Sequence, residues 1–425
     1  MRLIVEKTNK INGVSKVPSS KSHTIRGFIF ASLAEGKSKL KNALESEDTR
    51  AAINACSALG AGIIKKSKGE FEITGFGGYP IIKKKKINTL NSGTTTNFIT
   101  SAAALADEKI IIDGDDSIRK RPIYPLLLAL KNLGAKASSI NNNGCPPIEI
   151  QGRMMGGATA LDCKSSQYLS SLLITCPLLN QNTEIKIFNI CEIPYIEMTM
   201  KWLNELRINY QNQDFQKVMI YGRQKYFPFE KTIPSDWSSA TFLLVASAML
   251  GQNVVIKGLD LNDTQADKDV FTYLKRMGSD IRANEKGIVI NKSKLLGCEL
   301  DLNNTPDALP AVAVLGCNAE GKTIIKNVAH ARIKETDRIK AMTNELSKMG
   351  AKVQETDDGM ILEQSKLRGA ELKGYNDHRV VMALSLAGMI AEGITEIDTA
   401  EAIKATFPNY IEIMSNLGAK MTMEV

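Results

Sequence analysis

The chain has 425 residues, 43% of them hydrophobic and 24% charged, and carries a formal net charge of +8. That length is more than one ordinary core can use, so two large domains are expected. The modest positive charge suits small acidic substrates, while only 6% aromatics and no basic stripe among them disfavour a nucleic-acid groove. The longest apolar stretches, near Ala240–Leu250 and Val380–Ala391, fall short of the roughly 20 residues that a membrane span needs, so no membrane partner is expected. Cysteines stand at 56, 145, 163, 176, 191, 298 and 317, with no CxxC pair and no metal-ligand spacing. Such a scattered, odd set, with no signal peptide recognisable, predicts reduced thiols in a cytoplasmic protein.

Taken in order, the chain repeats itself. Pro18-Ser19-Ser20-Lys21-Ser22 stands just before an apolar run, and a helical stretch closes at Leu59-Gly60-Ala61. After a Gly-Gly-Tyr-Pro turn, Lys83–Lys86 reads as a solvated hairpin. Asn91-Ser92-Gly93-Thr94-Thr95 opens the next apolar run, a strand is expected at Lys109–Ile112, and a helix closes at Leu133-Gly134-Ala135. Ser165-Ser166-Gln167, a strand at Glu184–Phe188 and a closure at Leu206-Arg207-Ile208 follow. Asp236-Trp237-Ser238-Ser239 begins a fourth unit, with strands at Asn253–Ile256 and Gly287–Ile290 and a closure at Met277-Gly278-Ser279. Pro306-Asp307-Ala308 and Asn376-Asp377-His378-Arg379 open the fifth and sixth, which close at Met349-Gly350-Ala351 and Leu417-Gly418-Ala419.

The closures are spaced by 74, 73, 71, 72 and 68 residues, counted between their middle positions. The series Lys21, Ser92, Ser165, Asp236, Asp307, Asp377 is spaced by 71, 73, 71, 71 and 70. A near-constant period over six units is an internal repeat. Glycine suits the left-handed position that ends a helix, so Arg207 should be capped in some other way. Ser, Thr, Asn and Asp accept hydrogen bonds from unpaired N–H groups at helix starts, so the clusters around the second series read as caps of six equivalent helices. Strands alternate with two helices per unit, and three units make a domain of reasonable size. The expected fold is therefore α/β with two similar domains of three repeats each, whose helix starts favour anions.

The fifth unit holds the densest chemistry. A strand at Thr323–Val328 leads into His330-Ala331-Arg332-Ile333-Lys334-Glu335-Thr336-Asp337-Arg338, and Ile339, Met342, Leu346 and Met349 then stripe one helix face. Lys334 and Arg338 would add full positive charge at a helix start, and Glu335 is an acid among bases whose proton affinity its neighbours can tune. Lys21, Arg26, Arg121, Lys334, Arg338 and Arg379 are enough cations for two or three acidic groups, with Asp307 and Glu335 as acids among them. Ser22, Ser165, Ser166 and Gln167 are neutral donors for phosphate or hydroxyl groups. The chemistry that follows is two phosphorylated or carboxylated substrates and one or two carboxyls that move protons.

In order and at matching intervals from Lys21 to Pro408, these motifs, together with Lys120-Arg121-Pro122-Ile123, resemble the 5-enolpyruvylshikimate-3-phosphate synthase family. The resemblance implies two domains of three βαβαββ-type units, an inverse α/β barrel, at residues 19–234 and at 1–18 with 235–425, with the active site in a cleft between them. It implies that phosphoenolpyruvate and shikimate 3-phosphate give the enolpyruvyl ether and phosphate, with no metal and no organic cofactor; we expect a monomer. Lys21, Ser22, Arg26, Ser165, Ser166, Gln167, Asp307 and Lys334 would hold shikimate 3-phosphate. Lys21, Gly93, Arg121, Gln167, Arg338 and Arg379 would hold phosphoenolpyruvate. Lys21 would also serve in catalysis, Asp307 would take the 5-hydroxyl proton, and Glu335 would give and retake a proton at the methylene carbon.

The sequence departs from the family pattern at four places. Asn97 stands where Arg is common, Ala405 where a substrate-binding Lys is common, and His330, also a candidate binding residue, where Asn is frequent. Glu192 replaces a Ser that helps the shikimate phosphate, and a carboxylate there would repel it. A related family, the UDP-N-acetylglucosamine enolpyruvyl transferases, would call for Lys-Asn at Lys21-Ser22 and a reactive Cys near Arg121, where Asp116-Ser117-Ile118-Arg119-Lys120 stands. A non-catalytic binding protein on the same architecture would be expected to lack Asp307 or Glu335; both are present.

Overall fold

The computed structural model describes residues 1–424, which contain twelve α-helices and six four-stranded sheets. The chain divides into two compact units, one of residues 19–234 and one of residues 1–18 with those from Ser235 onward. Each unit has its own apolar core. The α/β class and the repeated βα units stand as expected from the period.

One sheet of the first unit shows the pattern. Lys37–Lys41 pairs parallel with Glu230–Thr232 and antiparallel with Glu70–Thr74, which pairs antiparallel with Gly62–Ser67. The other two sheets of that unit repeat the order as 86–88, 110–113, 148–151, 136–139 and as 157–162, 183–188, 217–220, 210–213. In the second unit the pattern is completed by strands from the start of the chain. Ile11–Lys16 is the parallel partner of Gly251–Lys257. Arg2–Glu6 lies between Ile394–Ile397 and Lys420–Glu424, antiparallel to both. Lys83–Lys85 is solvated, but it is not a hairpin. It runs into the strand Lys86–Asn88, whose partner Ile110–Asp113 is parallel and therefore cannot be reached by a tight turn.

Two kinds of helix alternate along the chain. Those at Lys21–Leu33, Gly93–Ala103, Ser166–Thr175, Trp237–Leu250, Leu309–Asn318 and His378–Ile390 are buried on nearly every side. A helix buried all round cannot expose its Ser and Thr hydroxyls, so they must bond internally. Ser32, Thr100 and Ser247 each donate to the carbonyl four residues back at 2.7 Å, and Ser101 joins one helix to the next by donating to Ser171 at 2.9 Å. The other six helices bury only one face.

All six closures end in the left-handed region. Gly60, Gly134, Gly278, Gly350 and Gly418 have φ between 84° and 121°. Arg207 is not capped otherwise, as the sequence suggested: it adopts the same conformation, at φ 60°. The repeat geometry overrides the steric preference of an L-residue, at a local cost of about 1–2 kcal/mol.

Candidate active site

The buried helices bring the polar clusters to their N-termini, and five of the six clusters are caps. Ser20, Ser92, Ser165, Asp236 and Asp377 accept from the backbone N–H groups of His23, Thr95, Gln167, Ser239 and Arg379. Asp307 is the exception. Its helix begins at Leu309 with Ala308 at the cap position and no side-chain cap bond. Pro310 in the first turn has no N–H to satisfy, which leaves the Asp307 carboxylate to other partners.

Those partners are arginines. Asp307 Oδ1 accepts from Arg338 Nη1 at 2.6 Å, and Oδ2 pairs with Arg379 Nη2 at 2.8 Å. Burial opposes ionisation of Asp307, but Arg379, Arg338 and Lys334 outweigh it and hold the carboxyl far below the usual range. Arg338, 1% exposed, also donates from Nη2 to Glu335 at 2.6 Å and from Nε to Asp377 at 2.8 Å. Burial alone would favour its neutral form; Asp377, Glu335 and Asp307 reverse that and fix the positive charge. The helix start at Arg338 is thus no bare anion site. Its guanidinium is shared among three carboxylates, and Asp377 both caps one helix and anchors an arginine of another. His330 lies in the short turn Ala329–Ile333, and Lys334 immediately follows it.

In the unit of residues 19–234, Lys21 is the first residue of its helix, and its Nζ lies 3.1 Å from Asp48 Oδ2. Ser22 follows it, half-buried. Arg26, in contrast, points into the unit. It donates to Thr199 Oγ1 at 2.9 Å, Tyr195 O at 2.9 Å and Ser22 O at 3.2 Å, and its guanidinium lies 5.1 Å from the Phe98 ring centre. Burial lowers its pKa to about 9, which still leaves it cationic at neutral pH. Arg26 therefore holds the Lys21 helix to its neighbour. Arg121 is steadied by Asn91 at 2.6 Å and Ser117 at 3.0 Å. A Cβ built on Gly93 would come within 2.8 Å of Arg121 Nη1 and 3.7 Å of Gln167 Oε1, so Gly93, Arg121 and Gln167 are neighbours. Asn97 ties that group together, donating to Gly93 O at 2.9 Å and Gln167 Oε1 at 2.8 Å. Ala405 ends the short turn Ala400–Ala405, with Lys404 exposed beside it.

Sequence reasoning missed Asp48, the dual role of Asp377, and the buried acid Asp267. Asp267 is fully buried and accepts from Ser238 Oγ. Burial first, then Asp307, raises its pKa to about 7, against opposing effects from Arg379 and Ser238. Nothing in the local sequence marks it.

A carboxylate clamped by two arginines, a second acid on one of them, and a glycine–arginine–glutamine group elsewhere define a class. Such positioned charges fit an α/β enzyme for anionic substrates. A model of the EPSP synthase family, 3-phosphoshikimate 1-carboxyvinyltransferase, matches residues 5–414. The 3-phosphoshikimate 1-carboxyvinyltransferase of Acetivibrio thermocellus is 47% identical over 420 residues, covering 99% of both chains. Its counterpart in Methanocaldococcus jannaschii is 40% identical over 429 residues, again at 99% of each. Among solved structures, EPSP synthase from Acinetobacter baumannii superposes with a TM-score of 0.84 at 26% identity, over the whole of both chains. The chain belongs to the EPSP synthase family.

Proposed function

We propose that this chain transfers the enolpyruvyl group of phosphoenolpyruvate to the 5-hydroxyl of shikimate 3-phosphate and releases inorganic phosphate. Family membership over nearly the full length supports the reaction. The observation that carries the residue assignment is Asp307 held between Arg338 and Arg379, with Glu335 on the same Arg338.

The assignment follows from what the reaction must move. Asp307 takes the proton of the 5-hydroxyl as that oxygen bonds to C2 of the enol. Glu335, which takes up a proton once the substrates draw Arg338 away from it, gives that proton to the methylene carbon, which becomes a methyl group. In the second half Glu335 retakes a proton from that methyl as the C2–O bond to phosphate breaks and the double bond returns, and Asp307 passes its proton to the departing phosphate. A carboxylate held so far below its usual range is a weak base, so Asp307 must be released before it can work. Anionic substrate groups that draw Arg338 and Arg379 toward themselves weaken their hold on Asp307 and raise its basicity at the moment of need. Lys21, Ser22, Ser165, Ser166, Gln167 and Lys334 bind shikimate 3-phosphate in this reading, with Arg26 positioning the Lys21 helix. Lys21, Gly93, Arg121, Gln167, Arg338 and Arg379 bind phosphoenolpyruvate. The reaction runs in the cytoplasm. Release of phosphate only when both substrates are present tests the reading; no release under those conditions overturns it.

A further inference from the structure

Glu192 stands at the start of the helix Ile193–Glu205, yet makes no side-chain cap bond to that helix. Pro194 in the first turn removes a donor there, and the backbone of Glu192 is left-handed at φ 57°. Its side chain turns instead to the head of a different helix. Glu192 Oε2 accepts from Ser166 Oγ at 2.7 Å and from Ser166 N–H at 3.2 Å. Both residues are 2% exposed.

A serine hydroxyl has one proton and two lone pairs. While that proton is given to Glu192, Ser166 cannot donate it to a ligand; it can only accept. The backbone N–H at the same helix start is committed to the same carboxylate oxygen, so an internal anion fills the place where the helix dipole favours an external one. We propose that Glu192 sets the polarity of Ser166: it turns the head of the Ser166 helix from a donor for a ligand phosphate into an acceptor for a ligand hydroxyl. Glu192 is thus a positioning residue that lowers the preference for the phosphorylated over the unphosphorylated form of the acceptor substrate. The inference rests on the reading that this helix start meets shikimate 3-phosphate.

Glu192→Gln keeps the shape and removes the charge. Its amide can donate to Ser166 Oγ and free the serine proton for the ligand. Calorimetric titration of the full chain with shikimate 3-phosphate, shikimate and inorganic phosphate reads the effect. The expected result is a rise of about ten-fold in the ratio of affinities for shikimate 3-phosphate over shikimate, the size of one hydrogen bond to a charged group. Adding Ser166→Ala to Glu192→Gln should remove that gain, which a general change in packing would not do. Glu192→Ser serves if the glutamine variant does not fold. An unchanged or lower ratio, or a gain that survives Ser166→Ala, overturns the proposal. Phosphate release by the unaltered protein separates this failure from failure of the functional reading. If the unaltered protein neither turns over nor binds shikimate 3-phosphate, tightening of inorganic phosphate by Glu192→Gln still decides for the proposal, and no tightening decides against it.

Discussion

Arg338 is the residue on which three carboxylates converge, because one buried guanidinium satisfies Asp307, Glu335 and Asp377 together. Removing a charge from such a cluster changes proton transfer before it changes affinity. Asp307→Asn and Glu335→Gln should each lower kcat by about 10²–10⁴-fold while shikimate 3-phosphate still binds. Steady-state rates beside calorimetric affinities check this, and a variant of normal kcat would refute the assigned role. Gly93→Ala should act through its neighbour: the new methyl meets Arg121 Nη1, the far end of a side chain that can move aside. The expected outcome is a rise in KM for phosphoenolpyruvate of roughly 10-fold or more with a smaller change in kcat, within the range set by one misplaced methylene. Asp307, Glu335 and Arg338 are legible in the sequence because they sit in ordered, dense motifs. The anchoring of Arg338 by Asp377 and the inward turn of Arg26 to Thr199 are not, since those partners lie 39 and 173 residues away. Local spacing carries no record of such pairs.

At the scale of elements, the period of about 71 residues announces both kinds of helix start and end. It is legible because each repeat must re-create the same capped turn. Where a single residue breaks the series, geometry wins over propensity, and Arg207 is the clearest instance. Arg207→Gly should stabilise the protein by about 0.5–1 kcal/mol, because relief of left-handed strain exceeds glycine's entropic penalty. Thermal or urea unfolding checks it; a destabilised variant would mean that the arginine side chain contributes more than its backbone strain removes. Asp267 supplies a second test. Burial first, then Asp307, raises its folded pKa to about 7, well above the usual carboxylate range, with Asp236 adding to the rise and Arg379 and its donor Ser238 opposing it. A raised carboxyl contributes stability that is fully present below pH 4 and is lost as pH climbs through 7. Asp267→Asn removes that loss. The variant and the native protein should have similar melting temperatures near pH 4. They should diverge by a few kcal/mol in favour of the variant by pH 8, and parallel curves would count against it.

The whole molecule consists of two units of unequal continuity. Residues 19–234 form three complete sheets and a core from one unbroken segment. The other unit needs Arg2–Glu6 and Ile11–Lys16 to complete two of its three sheets. Expressed by itself, 19–234 should therefore fold cooperatively. A segment starting at Ser235 should stay molten or aggregate until a peptide of residues 1–18 is added; circular dichroism and calorimetry decide. Sequence repeats reveal six units but not which strands complete them, because strand pairing across hundreds of residues leaves no periodic trace. The placement of Arg2–Glu6 also bears on how the protein is made. Leu3 and Val5 leave the ribosome hundreds of residues before the strands that cover them, Ile394–Ile397 and Lys420–Glu424. At about 5–20 residues per second, translation leaves that apolar strand without its neighbours for roughly 20–80 seconds. The contiguous unit can fold during that interval, while the nascent N-terminal strand has only solvent or a chaperone to cover it. Slowing translation should then reduce the yield of folded protein unless a holding chaperone is present, the reverse of what helps a chain whose domains close in the order they are synthesised.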